Sequence, residues 1–337
     1  MKNRILLIGQ GIAGSLLAHV LLEVGADITV IDHINAETPS RVAAGIINPV
    51  TGKRFVKSWR FDTLYEHAQA LYREMEVRYG ISIWEPLPII RLLEGAEEIN
   101  NWDTRCGLPE YAEWLSGIQH THDWSGRIRA DFKAGMILHS GRVHFNPIIA
   151  AIRERLTQEG RFQAANVAVS DIPALCAQYK QVICCDGYGG LSPQLFPHLP
   201  WQPAKGEALI VRLPGATGIR QMLKRSATLV PLEDDLFWVG GTYSWDLSFP
   251  LRTEQAYREL CAHIDGMLET PYEVVAHLAG IRPSVRTRRP LLGAHPSQQN
   301  LFIFNGMGTK GASLTPWCAL HMRDFLLEGK ALDGELR

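Results

Sequence analysis

The feature that most constrains the fold is a glycine pattern near the start of the chain. Residues 9–14 read Gly-Gln-Gly-Ile-Ala-Gly; they follow the apolar run of residues 5–8 and open residues 14–24, whose apolar positions have helical spacing. A second apolar run, residues 28–31, follows Gly25. A G-x-G-x-x-G sequence between a strand and a helix, within one β-α-β unit, predicts a dinucleotide-binding site.

Each part of this unit has a physical role. Gly9 permits a tight turn, Gly11 lets the backbone approach a pyrophosphate, and Gly14 lets the helix pack closely on the strand. The phosphates would lie at the positive end of the helix. Asp32, which ends the second strand, is placed to accept hydrogen bonds from a ribose. This half of the site is common to FAD and NAD and does not separate them.

A second glycine pattern lies near the end of the chain. Residues 306–311 read Gly-Met-Gly-Thr-Lys-Gly, after the apolar run of residues 301–304 and before a predicted helix at about 313–327. Only 26 residues follow it, which is too few for another dinucleotide domain. We therefore expect its backbone N–H groups to contact a second part of the same cofactor.

The α/β alternation is interrupted twice. Residues 61–139 contain one amphipathic helix and then a stretch rich in Trp, and residues 201–275 contain alternating runs typical of an antiparallel sheet. We predict a discontinuous FAD-binding domain of residues 1–60, 140–200 and 276–337, with a substrate domain of residues 61–139 and 201–275. The fold class is α/β, or α+β overall: a Rossmann-like domain with an inserted antiparallel sheet.

Composition excludes several classes of partner. The 34 basic and 35 acidic side chains give a formal net charge of -1, so no long-range field attracts nucleic acid or an anionic membrane. No apolar run approaches the ~18 residues of a membrane span. The six cysteines include no C-x-x-C pair and predict reduced thiols in a cytoplasmic protein. His120 and His122 lack a third ligand, so no metal site is predicted. Oligomeric state is not predicted.

Together these residues resemble the D-amino-acid oxidase-like family of FAD-dependent oxidoreductases, which includes glycine oxidase, sarcosine oxidase and the FAD domain of a bifunctional tRNA-modifying enzyme. Seven segments occur in the family's order, at residues 9–14, 40–45, 141–143, 182–187, 203–206, 280–283 and 306–311. The resemblance implies FAD as cofactor and oxidation of a C–N bond of an amine or amino acid by hydride transfer to flavin N5. The alternatives are a hydroxy-acid or biosynthetic dehydrogenase of the same fold and a non-catalytic FAD-binding protein.

The resemblance also implies site residues. Arg282, in the G-x-R-P segment, and Lys310, in the G-x-G-x-K segment, fall on positions that bind substrate carboxylate in some members, so the substrate is expected to be a small anionic molecule. The residues expected to bind the cofactor are Gly9, Gly11, Ile12, Ala13, Gly14, Asp32, His33, Ser40, Arg41, Ala44, Gly45, Ile46, Val167, Asp186, Gly187, Gly280, Arg282, Gly306, Met307, Gly308, Thr309 and Lys310.

Two segments depart from the family's pattern. Thr228 stands where several amino-acid oxidases have a tyrosine before the proline that is Pro231 here, which leaves the amino acid unspecified. The basic residues Lys53 and Arg54 lie in a segment unlike that of the best-known oxidases, and whether they reach the substrate stays open. No cysteine matches a covalent attachment site, so the FAD is expected to dissociate. The electron acceptor, dioxygen or another, is not predicted.

Overall fold

The computed structural model describes residues 4–33, 38–120, 122–248 and 251–336. Within them the strands are β1 (Ile5–Ile8), β2 (Ile28–Asp32), β3 (Ile46–Ile47), β4 (Val50–Thr51), β5 (Val56–Lys57), β6 (Trp84–Pro86), β7 (Ile89–Leu93), β8 (Leu115–Gln119), β9 (Lys133–Ile137), β10 (Gly141–Val143), β11 (Phe162–Ala164), β12 (Gln181–Cys184), β13 (Ala204–Arg212), β14 (Met222–Lys224), β15 (Thr228–Pro231), β16 (Leu236–Gly240), β17 (Glu273–Arg282), β18 (Leu291–Ala294) and β19 (Leu301–Asn305). The α-helices are α1 (Ile12–Glu23), α2 (Pro39–Val42), α3 (Phe61–Tyr79), α4 (Gly95–Cys106), α5 (Phe145–Gln158), α6 (Ile172–Gln178), α7 (Leu191–Leu195), α8 (Glu254–Asp265) and α9 (Gly311–Glu328).

A six-stranded sheet contains the strands predicted from the apolar runs. Its order is β11-β2-β1-β12-β19-β18, with parallel pairs from β11 to β19 and an antiparallel edge strand β18. All four residues of β1 are buried, as expected for a parallel strand covered on both faces. Helices α1, α5 and α9 belong to the same apolar core. The predicted β-α-β unit and the closing strand and helix are confirmed.

An eight-stranded sheet forms the second large layer, in the order β17-β13-β16-β15-β14-β7-β9-β8. Most neighbours are antiparallel, as predicted for residues 201–275, but β14 runs parallel to β7. The three strands β7, β8 and β9 come from residues 61–139, a stretch whose sequence indicated a helix and loops. Their β-structure was missed because the strands are short, and the segments between them, which include α4, were predicted as loops.

The proposed division into two domains remains a prediction, and two structural facts bear on it. The boundary between residues 275 and 276 falls inside β17, whose last residue Arg282 is still paired with Ala204 of the eight-stranded sheet. Helix α3, assigned to the substrate domain, packs on α9, and the hydroxyl of its buried Tyr72 donates to the carbonyl of Ala312 at 2.8 Å.

The core consists of large apolar clusters. One joins α1, α3, α5 and α9, and another lies against the eight-stranded sheet beneath α8. Among the residues that the structure describes, no helix is both long enough and apolar enough to cross a membrane. Burial raises the pKa of the adjacent thiols of Cys184 and Cys185, so both remain protonated within the sheet.

Candidate functional site

A cavity of about 830 Å³ lies between the six-stranded sheet and one face of the eight-stranded sheet. The first residues of α1 and α9 line it, together with the carboxyl ends of β2, β12 and β19. The carboxyl ends of parallel strands form the usual ligand crevice of an open α/β sheet. The two glycine patterns, separated by almost the whole chain, therefore open onto one site.

Two glycines of the first turn have no room for a side chain. Gly9 has a φ of +100°, and a Cβ on it would lie 2.7 Å from the carbonyl oxygen of Cys185. A Cβ on Gly14 would lie 2.0 Å from the carbonyl oxygen of Gly9. The backbone N–H of Ile12 donates to Ser40 Oγ at 3.0 Å. The turn thus holds the start of α1 directly against the strand, and Gly9, Gly11 and Ile12 line the cavity.

Asp32 is held at the edge of the site by two different partners. Its Oδ1 accepts from the backbone N–H of Gln10 at 3.0 Å, and its Oδ2 accepts from Arg153 Nη2 at 2.6 Å. Arg153 also donates from Nε to Gln10 Oε1 at 2.6 Å. Arg153 was not predicted from the sequence because it lies on α5, far along the chain, and no local pattern connects it with the ribose end of the site.

The second glycine turn leads into α9. Gly306 and Gly308 have φ values of +76° and +55°, in the left-handed region. Asn305, immediately before them, donates from Nδ2 to the carbonyl of Gly187 at 2.7 Å and so ties this turn to the end of β12. Gly308 and Thr309 line the cavity. The N-terminus of α9 therefore presents a partial positive charge to the same space as the N-terminus of α1.

Asp186 lies between these two turns and has a structural role. Its carboxylate accepts hydrogen bonds from the backbone N–H groups of Leu191 and Ser192 at 2.8 and 3.1 Å, and from the hydroxyl of Ser192. Burial raises the pKa of this carboxyl, and the hydrogen bonds from Ser192 and Leu191 oppose that effect. Asp186 thus shapes the cavity wall by fixing the loop after β12.

Arg282 provides a cation on the face of the eight-stranded sheet. Its guanidinium donates from Nη1 to the carbonyl oxygen of Thr242 at 3.0 Å and lies 5.6 Å from the centre of the Tyr243 ring. A Cβ on Gly206 would lie 2.1 Å from Arg282 Nη2, so the glycine makes room for the side chain. Burial lowers the pKa of the guanidinium. No carboxylate among the described residues pairs with Arg282.

Lys310 was expected to contact the substrate and the cofactor, but its side chain is bound elsewhere in the structure. It precedes α9 directly and is outside the cavity lining; its Nζ donates to Ser58 Oγ at 3.0 Å. Burial lowers the pKa of this ammonium, and the charges of Arg288 and Arg289 lower it further. The structure therefore brings the backbone beside Lys310 to the cavity, while its ammonium is held by Ser58.

Most of the residues predicted from the sequence lie together. The cavity is lined by Gly9, Gly11, Ile12, Ala13, Asp32, His33, Ser40, Ala44, Gly45, Ile46, Val167, Asp186, Gly187, Gly280, Arg282, Met307, Gly308 and Thr309. Gly14, Arg41, Gly306 and Lys310 are outside the lining, as are the exposed Lys53 and Arg54. Gly14 and Gly306 instead lie where the two turns are packed too closely to hold a side chain.

Several lining residues on the eight-stranded sheet were not predicted. Lys224 donates from Nζ to Thr228 Oγ1 at 2.9 Å, and Trp238 donates from Nε1 to the carbonyl of Val42 at 2.9 Å. Alternate residues of a strand face one side, so Lys224, Thr228, Trp238 and Gly240 could have been grouped only once the register was known. No group of three or more metal-ligating side chains occurs in the described parts of the chain.

Comparison with known proteins decides the family. The model of the DAO family, described as FAD dependent oxidoreductase, matches residues 4–325. The chain belongs to this family. Membership confirms the predicted family, the Rossmann-like fold class and FAD as the cofactor of an oxidoreductase.

Similar individual proteins agree on the fold. The iminodiacetate oxidase of Chelativorans sp. BNC1 has a TM-score of 0.81 at 20% identity, over 98% of this chain and 96% of that one. The glycine oxidase of Bacillus cereus ATCC 14579 has a TM-score of 0.77 at 16% identity, with the same coverage. The bifunctional protein MnmC of Polaromonas naphthalenivorans (strain CJ2), named for tRNA 5-methylaminomethyl-2-thiouridine biosynthesis, is 24% identical over 99% of this chain. The chain spans 58% of the length of that relative.

The cavity suits FAD on the geometry of its own residues. Gly9 and Gly11 place the start of α1 where a pyrophosphate could accept hydrogen bonds from backbone N–H groups. Asp32 lines the part of the cavity where the ribose of FAD is expected. The N-terminus of α9 suits the flavin end, where reduction adds negative charge. These features agree with the cofactor of the family.

Proposed function

We propose that this protein uses FAD to oxidise a C–N bond of a small amine or amino acid that carries an anionic group. The observation that carries the proposal is Arg282, a mostly buried guanidinium on the cavity wall without a carboxylate partner in the described residues. A buried cation of this kind needs an anion or hydrogen-bond acceptors to offset its lost hydration. A substrate carboxylate supplies that anion.

The protein's own groups bind and orient the substrate. The planar guanidinium of Arg282 can hold both oxygens of a carboxylate and thereby fix the position of the neighbouring C–N bond. Trp238 and Tyr243 add aromatic surface to the same wall, which limits the entry of water. Bound FAD would supply the acceptor for a hydride, the electron pair of the C–H bond on the carbon attached to that nitrogen. The names of the similar structures, an iminodiacetate oxidase and a glycine oxidase, support this substrate class.

We propose that the residues predicted from the sequence form the FAD site, with a different role for two glycines and with one added residue. Gly14 and Gly306 serve the packing of the turns, and Arg153 is added as the partner of Asp32. A cytoplasmic location remains part of this proposal.

A second candidate comes from the match to MnmC, whose name refers to a modified uridine of tRNA. Oxidation of an amine attached to tRNA would require binding of a polyanion. The formal net charge of -1 offers no overall attraction for one. The small-molecule substrate is therefore favoured.

Anaerobic reduction of the FAD-loaded protein tests the proposal. Amino acids, other amines, hydroxy acids and a bulk tRNA fraction are mixed with it separately, and the loss of flavin absorbance is followed. The proposal predicts bleaching by one or more amino acids or small amines that carry a carboxylate. Bleaching by hydroxy acids alone, by tRNA alone, or by none of them would contradict it.

A further inference from the structure

Lys224 is a second cation on the cavity wall that the proposed function does not use. It ends β14, is mostly buried, and lines the same cavity as Arg282. Its ammonium donates to Thr228 Oγ1 at 2.9 Å and pairs with no carboxylate among the described residues. Burial, and then the charge of Arg91, lower its pKa to about 8. An ammonium in this position gains interaction energy when an anion binds beside it.

The groups around Lys224 add no negative charge that could satisfy it. Arg91 lies on the adjacent β7 and pairs with Glu98 at 3.4 Å. Glu207 also borders the cavity, but its buried carboxylate accepts from Thr253 N and Oγ1, both at 2.8 Å, and lies 2.9 Å from His277 Nε2. Among the described residues, the wall formed by the eight-stranded sheet thus carries two cations, Arg282 and Lys224, and neither is paired with a carboxylate.

The register of the sheet places both cations on the same wall of the cavity. Gly240, Thr228 and Lys224 are direct partners on β16, β15 and β14, and all three line the cavity. Two strand spacings, about 10 Å, therefore separate the backbone of Gly240 from that of Lys224. Arg282 reaches Thr242, two residues beyond Gly240, from the other edge. A ligand that contacts both cations must therefore extend across several strands of this wall.

Two cations on one wall favour a ligand with an anionic group at each end. Each cation can form a charge-assisted hydrogen bond of about 2.8 Å with one of those groups. A short dicarboxylate has two such groups. A monocarboxylate of the same length would leave Lys224 with only Thr228 as partner.

We infer that Lys224 binds a second carboxylate of the substrate, so that the oxidised molecule is an amino dicarboxylic acid held between Arg282 and Lys224. The inference rests on the proposed function and names its substrate class. Thr228 orients the ammonium from the neighbouring strand.

Calorimetric titration of the FAD-loaded protein tests the inference without turnover. Glutarate and butyrate are used as probes, since both lack an oxidisable amine and differ in the second carboxylate. In the wild-type protein, glutarate should bind about 10- to 100-fold more tightly than butyrate, the scale of one hydrogen bond between charged groups. Equal affinities would overturn the inference, and this comparison requires no variant.

The variant Lys224→Met then locates the effect. It should lose most of the preference for glutarate while butyrate affinity and FAD affinity change less than about 2-fold; Lys133→Met, at an exposed lysine of β9, should behave as wild type. Unchanged glutarate binding, or weakened FAD binding in place of weakened glutarate binding, would contradict the inference. If the Lys224-dependent preference is present but no amine bleaches the flavin, the proposed oxidation fails and the dianion site stands.

Discussion

The guanidinium of Arg282 donates a hydrogen bond to the backbone carbonyl of Thr242 at 3.0 Å. The side chain starts at the end of β17 and passes over Gly206 of β13 to reach this acceptor. Nη1 also donates to the carbonyl oxygen of Lys205 at 3.5 Å, and no carboxylate of the described residues pairs with the guanidinium.

Replacing the guanidinium should weaken substrate binding. Arg282→Met is expected to raise KM for the true substrate about 10- to 100-fold, because about 1.5–3 kcal/mol of charged hydrogen bonding is lost. FAD content should hardly change. Steady-state kinetics and the absorbance ratio of the purified protein measure both effects. Arg286→Met, at an exposed arginine of the same segment, is the matched control. Identical kinetics in Arg282→Met and wild type would remove Arg282 from the site.

The observed position of the Arg282 guanidinium also requires that residue 206 has no side chain. Gly206→Ala would place a methyl group 2.1 Å from the present position of Arg282 Nη2, so the guanidinium must move. The displaced atoms belong to the end of a flexible side chain, and the fold should therefore persist. We expect a rise in KM that approaches that of Arg282→Met. Gly117→Ala is the control, because a Cβ there meets nothing within 4 Å. A wild-type KM in Gly206→Ala would show that the position of Arg282 is unimportant.

Asp32 should contribute to FAD affinity. Asp32→Ala removes the carboxylate at the ribose end and leaves Arg153, now 2.6 Å from Asp32 Oδ2, with Gln10 as its hydrogen-bond partner but no anionic one. The expected loss is roughly 1–3 kcal/mol of FAD binding, measured by fluorescence titration of the apoprotein. The double variant Asp32→Ala, Arg153→Met tests whether the unpaired arginine adds to that loss. Wild-type affinity in both variants would exclude Asp32 from the ribose contact.

His19 should make the fold sensitive to acid. It is fully buried on α1, where burial lowers its pKa from 6.5 to about 4 against the opposing effect of Glu23. Between these values the unfolded chain binds the proton and the folded chain does not, so stability is lost as pH falls from 6.5 to 4. The total is roughly 3 kcal/mol. Urea unfolding at several pH values should show this loss in wild type, and a much smaller one in His19→Gln. The same slope in both proteins would contradict the assignment.

The parts of the site that were predictable are those encoded within short segments. Residues 9–14 and 306–311 contain their own turn geometry, so the glycines, the helix starts and Asp32 follow from local pattern. Arg153 and Lys224 were missed for a different reason. Lys224 reaches the cavity through strand register, and Arg153 reaches Asp32 through helix packing. Both are set by contacts between distant parts of the chain, which the sequence of a single strand or helix does not specify.

Lys310 shows the limit of carrying a role over by motif. The segment matches the family's spacing, and its backbone borders the cavity as expected. The ammonium, however, donates to Ser58 Oγ at 3.0 Å, and its part in binding substrate remains a prediction. Spacing fixes where a backbone passes, whereas the direction of a long side chain depends on its tertiary neighbours.

The central claim, FAD-dependent oxidation of a C–N bond, is tested most directly by product analysis after a single anaerobic turnover. The FAD-loaded protein is mixed with an amino acid that bleaches it, and the flavin reduced is compared with the carbonyl product and amine or ammonia released. Equal amounts of reduced flavin, carbonyl product and released nitrogen are expected, since the imine formed by oxidation hydrolyses. Bleaching without release of nitrogen would contradict it.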